Sequence, residues 1–209
     1  MTTLANYLTT VRRLLHDAGA NFWSDAELTD YINSARQRVV RDTGCNRILQ
    51  SFTLPASAET ITLASLPQGA NTIDVVNINV LWSAVRKPLA RLPWTKFNTY
   101  YRYYPTTIRV PDAFSVYGQT TVYFGPVPDI DYVLEVDTVV LPADLAPNVP
   151  DTIPAPFIDP IAYYAAHLAQ YNQQAYDKAE IMKQEYAKQV MASLVASMTR
   201  STTYPYQGL

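Results

Sequence analysis

The chain has 209 residues, 48% of them hydrophobic and 12% aromatic, with 16 Lys and Arg against 18 Asp and Glu for a formal net charge of −2. That length suits one large domain or a domain with appendages, and no apolar run approaches the roughly 20 residues that cross a bilayer. The single cysteine, Cys45, excludes an intrachain disulfide and any zinc site built from several thiolates, and the near-neutral charge lacks the basic excess with which nucleic-acid binders neutralise phosphates.

Leu4, Tyr7, Leu8, Val11, Leu14, Leu15 and Ala18 recur at three- and four-residue spacing, which predicts an amphipathic helix from about Thr3 to Ala18 with Gly19 as a left-handed stop. Arg12 and Arg13 fall inside that helix instead of preceding an apolar block, so no secretory signal is expected and cytoplasmic synthesis is. Ser24 and Glu27 have the spacing of a capping box and open a second helix. Its buried face is expected at Leu28, Tyr31, Ile32, Ala35 and Val39, with Arg36, Arg38 and Arg41 largely elsewhere and Gly44 closing it. The short linker between the two makes an antiparallel hairpin of residues 1–45.

From residue 46 to 141 the period becomes alternating. Ile48, Gln50, Phe52 and Leu54 form one predicted strand, Val76, Ile78, Val80 and Trp82 a second, and Tyr132, Leu134, Val136 and Thr138 a third. Shorter candidates lie at Thr60–Leu63, Thr107–Val110, Phe114–Tyr117 and Thr121–Phe124, and turn residues at Pro67–Gly69 and Gly125–Asp129 punctuate a small antiparallel sheet. Trp94, Phe97, Tyr101 and Tyr104 predict one helical insertion behind a Thr95 cap, stopped by Pro105. Residues 142–156, rich in Pro, Ala and Asp, read as an extended connector.

Helical period returns over 157–199. Asp159 and Pro160 read as cap and first residue of a helix with Ile161, Tyr164, Ala165, Leu168 and Tyr171 on its stripe. A polar break at Asn172–Gln174 separates it from a longer helix carrying Ala175, Ala179, Met182, Tyr186, Val190 and Leu194. The helices are expected to serve one core without a second apolar face, which predicts a chain that is largely monomeric by itself. Residues 200–209 have no helical period and read as an extended tail. The fold class is therefore α+β: an N-terminal hairpin and C-terminal helices forming an α-helical body, with an inserted antiparallel β-rich module.

The order of these pieces carries a resemblance. Trp23, Ser24, Asp25, Glu27, Leu28, Tyr31, Ile32 and Asn33 open the second helix, and Pro126, Pro128, Asp129, Tyr132, Pro142, Asp144 and Leu145 frame the last strand ahead of the alanine-rich AYYAAHLAQY segment. The sequence resembles the head-to-tail adaptor, or connector, proteins of tailed bacteriophages over most of its length. The resemblance implies a virion protein of the head-tail neck, made in the host cytoplasm and assembled as a ring of about twelve identical subunits beneath the portal protein. It also implies contacts to tail or nozzle proteins and a lumen through which DNA passes without specific binding, for which a mildly acidic surface is suitable. Neither a cofactor nor membrane association is implied.

Candidate chemistry is sparse. Cys45, His16 and His167 share no motif and read as a small buried thiol and two incidental histidines. Asp129 with Asp131, and Glu135 with Asp137, have the two-residue spacing of a strand's solvent face, and six glycines leave little material for a phosphate loop. The candidate sites are therefore contacts. Arg36, Arg38, Arg41, Arg47, Tyr100, Tyr101 and Arg102 are candidates for inter-subunit pairing, and Tyr204, Pro205, Tyr206 and Leu209 for docking onto the portal or a neighbouring subunit. The competing reading is a small nucleic-acid-interacting or regulatory module, because Arg91, Lys96, Tyr100, Tyr101, Arg102, Tyr103 and Tyr104 interleave cations with rings that can stack on bases. A hydrolase is a distant third.

Overall fold

The computed structural model describes residues 2–82, 85–102 and 108–201, apart from the side chains of 198–201. The chain divides into two compact units, one made of the residues up to Asn46 with those from Pro142 on, the other of Arg47–Leu141.

The first unit is helical. Helix α1 (Leu4–Leu14) buries Leu4, Tyr7 and Val11. It ends short of Ala18, and the stop is not Gly19: His16 takes the left-handed conformation at φ 56°. Asp17, 3% exposed, then accepts the N–H groups of Asn21, Phe22 and Trp23 and pairs with Arg12 at 3.1 Å. A short acidic side chain that satisfies three backbone donors competes with another helical turn and wins here. Helix α2 (Asp25–Thr43) starts with the full capping box, Ser24 Oγ accepting from the Glu27 N–H at 3.2 Å and the Glu27 carboxylate accepting from the Ser24 N–H at 3.0 Å. It stops at Gly44, whose φ of 63° costs a residue without a Cβ little.

Helix α4 (Asp159–Asn172) packs against α1, α2 and helix α5 (Tyr176–Ser201). Its buried residues are Pro160, Ile161, Ala162, Ala165, Ala166, Ala169 and Gln170, while Tyr164 and Leu168 are half-buried and Tyr171 is exposed. Of the expected stripe, Ile161 and Ala165 are buried, but Ala162, Ala166 and Ala169 fill the interior where Tyr164, Leu168 and Tyr171 were expected. A helix with three neighbours puts alanines where the axes approach most closely. Asp159 is not its cap either, because a 3-10 turn at Ala155–Phe157 runs straight into the helix and leaves Ile158, already helical at φ −77° and ψ −43°, at the cap position.

One polar cluster joins the segments of this unit. Arg36, on α2, is 2% exposed, and its guanidinium grips Asp151 through Nε at 3.1 Å and Nη2 at 2.7 Å. Its Nη1 donates to the Ala143 carbonyl and to Asn33 Oδ1. Asp151 also accepts the Tyr7 hydroxyl at 2.7 Å and the Ile153 N–H, and Asn33 Oδ1 accepts the Leu145 N–H. Burial alone would raise the Asp151 pKa, but these donors and the guanidinium charge hold it below its ordinary 3.8, while burial and the carboxylate push the Tyr7 phenol far up.

The second unit is built of two four-stranded sheets, ordered β1-β8-β3-β4 and β2-β7-β6-β5. The strands are β1 (Arg47–Leu54), β2 (Thr60–Thr62), β3 (Thr72–Trp82), β4 (Val85–Pro88), β5 (Ala90–Arg91), β6 (Ala113–Tyr117), β7 (Thr121–Gly125) and β8 (Tyr132–Val140). Leu54, Val75, Ile78, Val80, Leu134 and Val136 of the first sheet form one apolar cluster with Ile61, Phe114, Val122 and Phe124 of the second. Leu89 sits where the chain leaves β4 for β5 and is itself buried, so a single residue carries the chain from one sheet to the other.

The pairing is antiparallel except for β5 beside β6, which is parallel. In β3, register breaks between Thr72 and Asp74 and between Val75 and Asn77 put Val75 inside with Ile78 and Val80, where Val76 was expected, and Trp82 ends 54% exposed. The candidate at Thr107–Val110 is no strand among the described residues. Ile108 there makes one isolated bridge to Val127. Gln50, facing inward on β1, is satisfied by Thr138 Oγ1 at 2.6 Å and by the Gln68 N–H at 2.8 Å. Helix α3 (Trp94–Tyr101) is led by Pro93, not capped by Thr95, and Tyr104 and Pro105 lie outside the described residues.

Two stability predictions follow from these buried groups. Asp151→Ala strands the Arg36 charge in the core and costs about 3–5 kcal/mol in denaturant unfolding, whereas the pair Arg36→Met with Asp151→Leu costs clearly less. Because the folded pKa of Asp151 lies below its unfolded value, its contribution is present above the unfolded value and disappears as pH falls through the folded one, and an acid titration of the melting temperature in the double variant loses that component. Ser115, 1% exposed with no partner for its hydroxyl among the described residues, gives the opposite sign: Ser115→Ala raises stability by about 1 kcal/mol in the same assay.

Candidate assembly surfaces

The aromatic cluster around α3 is built by the second sheet. Trp94 lies against Tyr117 and Tyr123 with ring centroids 4.6 and 4.7 Å apart, and Phe97 is wholly buried. Arg102 is placed over the rings of Trp94 and Tyr123, its guanidinium carbon 5.7 and 5.3 Å from their centroids, and its Nε donates to Glu59 at 2.8 Å. Tyr101 crosses Gly125 so closely that a Cβ there would fall 2.5 Å from its ring, and its hydroxyl donates to Asp112 at 2.5 Å. Burial and that carboxylate push the Tyr101 phenol up to about 12.

These contacts disperse the sequence cluster that pointed to nucleic acid. Arg91 pairs with Asp74 at 3.0 Å and Arg109 with Asp112 at 3.0 Å, on top of the Arg102 and Glu59 pair. A cleft of about 530 Å³ beside Tyr100, Tyr101, Arg102 and Arg109 is therefore lined by cations that already have carboxylate partners. Tyr100 is the exposed ring, at 72%, and Lys96 is exposed beside it, whereas Tyr103 and Tyr104 lie outside the described residues.

The other expected contact arginines separate into three kinds. Arg36 is corrected outright, since its donors are spent inside its own chain and 2% exposure leaves nothing for a neighbour. Arg38 and Arg47 are half-exposed but already paired, Arg38 with Asp42 at 2.9 Å and over the Tyr164 ring, Arg47 with Asp137. Arg41 is exposed and pairs with none of the described residues. Tyr204, Pro205, Tyr206 and Leu209 lie outside the described residues.

Two surfaces went unread in the sequence. Helix α5 buries Ala179, Tyr186, Val190 and Ser193, yet Ile181, Met191 and Val195 stand 57–62% exposed, so the expectation of helices without a second apolar face fails there. The argument from it to a monomeric chain fails with it. The clue was present as apolar residues on all sides of one long helix. The second surface is the outer side of the first sheet, where Leu49 and Val133 are exposed beside a polar chain in which Asn77 donates to Asn79, Asn79 to Glu135, and Arg86 to Glu135.

No catalytic arrangement joins the residues weighed for chemistry. Burial pushes the Cys45 thiol above its ordinary value, away from thiolate reactivity. His167 Nδ1 is engaged with the Ala179 carbonyl at 2.8 Å. No three His, Cys, Asp or Glu among the described residues are placed to share a metal ion, and no described helix is long and apolar enough to cross a membrane. The Tyr101 lock is open to direct test: Asp112→Asn removes the repelling charge and leaves only a neutral acceptor, so the Tyr101 phenol falls from about 12 towards its ordinary 10 in a titration followed by tyrosine-labelled NMR.

A search of curated proteins finds no match to this sequence. A protein-family model described as SU10 adaptor protein matches residues 2–207, nearly the whole of both units. That match spans nearly the whole α+β chain, and the chain belongs to the SU10 adaptor protein family.

Proposed function

We propose that the protein is a non-enzymatic structural component of the head-tail neck, about twelve copies of which form a ring beneath the portal protein, extend the DNA channel and present a docking surface to tail or nozzle proteins. The observation that carries this is the family match across residues 2–207, because it includes both the helical unit and the β unit instead of one common module. Cations that already have carboxylate partners give DNA no continuous track to hold, which suits a channel that a genome must slide through. Arg41, Tyr100 and the open sides of Arg38, Arg47 and Arg102 are the inter-subunit contacts in this reading. Tyr204, Pro205, Tyr206 and Leu209 anchor the segment 200–209 on a neighbour or on the portal, where aromatic side chains repay the entropy of ordering.

Deleting the residues after Thr199 leaves circular dichroism and the melting transition unchanged and greatly reduces incorporation into portal-bound rings, as read by co-sedimentation with portal particles. Equal incorporation of the shortened chain removes the anchoring role. Electron microscopy of the particle containing this chain shows a ring between portal and tail, and a position anywhere else in the particle overturns the proposal.

A further inference from the structure

The first sheet has an edge that the fold leaves untreated. Sheet edges are templates for other chains, and proteins blunt them by shortness, charge or proline. Three of the four edges here are blunted: β2 has three residues, β5 has two, and β4 is Val-Arg-Lys-Pro. The fourth, β1, runs for eight residues as Arg-Ile-Leu-Gln-Ser-Phe-Thr-Leu, without proline and with one charge, Arg47, which is tied to Asp137. Among the described residues its backbone pairs with β8 alone, from Arg47 opposite Val139 to Leu54 opposite Tyr132. Every second residue of β1 therefore turns its N–H and C=O away from the sheet. On the strand's outer face Leu49 is 59% exposed, and Ser51 and Thr53 are exposed too.

We infer that this edge receives residues 202–206 of a neighbouring copy as an added strand. The inference rests on the adaptor reading and names where the segment beyond α5 docks. Helix α5 reaches Ser201, and the next residues, Thr-Thr-Tyr-Pro-Tyr-Gln-Gly-Leu, carry no charged side chain and are rich in the residue types that favour strands. Pro205 decides the kind of site. A proline cannot lie between two strands, but it is harmless in a strand with one neighbour, provided the missing N–H faces outward. That condition sets the parity: Thr202, Tyr204 and Tyr206 face β1 with their N–H and C=O groups, while Thr203, Pro205 and Gln207 turn theirs away. It also puts Tyr204 and Tyr206 on one face of the enlarged sheet, at the spacing from which aromatic rings reach a cross-strand neighbour. A strand passed from each copy to the next is a head-to-tail contact, the type that closes a ring.

The experiment titrates a synthetic peptide of residues 200–209 into dilute, isotopically labelled full-length chain and follows amide exchange. The peptide slows exchange of alternate amides within Arg47–Leu54 about tenfold or more. A peptide N-methylated at Thr202, Tyr204 and Tyr206 loses this effect, and one N-methylated at Thr203 and Gln207 keeps it. Equal behaviour of the two methylated peptides, protection confined to the α5 face around Ile181, Met191 and Val195, or no protection of β1 at millimolar peptide each overturn the inference. If the shortened chain still fails to join portal rings while β1 stays unprotected, the segment docks on the portal and the function proposed above survives without this contact.

Discussion

The helical unit depends on a buried ion pair made between residues 115 positions apart, Arg36 and Asp151. Neither side chain can be left alone in the interior, because removing one strands a desolvated charge, so the pair forces every segment that supplies a partner to be in place together. Tyr7 brings α1, Asn33 and Arg36 bring α2, and Ala143, Leu145 and Ile153 bring the residues that follow the β unit. The segment from Pro142 to Pro154 has no regular structure to hold it, and carbonyl and N–H contacts to these side chains do that work instead. Hydrophobic packing of α4 against α1, α2 and α5 supplies most of the driving force, but it is non-directional. The polar cluster supplies the direction.

The β unit solves a different problem, that of making sheet faces and edges safe. Its inward faces close on each other, the aromatic helix α3 covers part of the second sheet, and hydrogen-bonded Asn, Glu and Arg side chains occupy much of the first sheet's outer face. Against that treatment, the long edge of β1, bare among the described residues, stands out. The exposed apolar residues of α5 have the same character. A protein whose work is assembly is expected to be unfinished at the surfaces where its neighbours bind.

Much of this was legible in the chain order. The capping box at Ser24 and Glu27 and the stop at Gly44 are local chemistry, satisfied by residues within three or four positions, so spacing alone identified α2. Strand β8 and the inward side of β1 were legible because alternation of apolar and polar residues is itself the geometry of a strand with one buried face. The family resemblance came from the succession of such pieces, which is a one-dimensional property.

What tertiary structure alone decided is everything in which distant segments compete for the same side chain. Arg36 looks like a solvated arginine in a helix pattern, and only the arrival of Asp151 makes it core. The α4 stripe was right at Ile161 and Ala165 but pointed to Tyr164 and Tyr171 as well, where three neighbouring helices demanded alanines instead. The register break between Val75 and Asn77 in β3 exchanged Val76 for Val75, since an added residue reverses the facing of the side chains that precede it until the next break. Local sequence determined where elements start, stop and alternate, because those choices are settled by hydrogen bonds a few residues long. Which face is buried, and which arginine is left for a neighbour, were settled by packing, because burial is a property of what lies opposite.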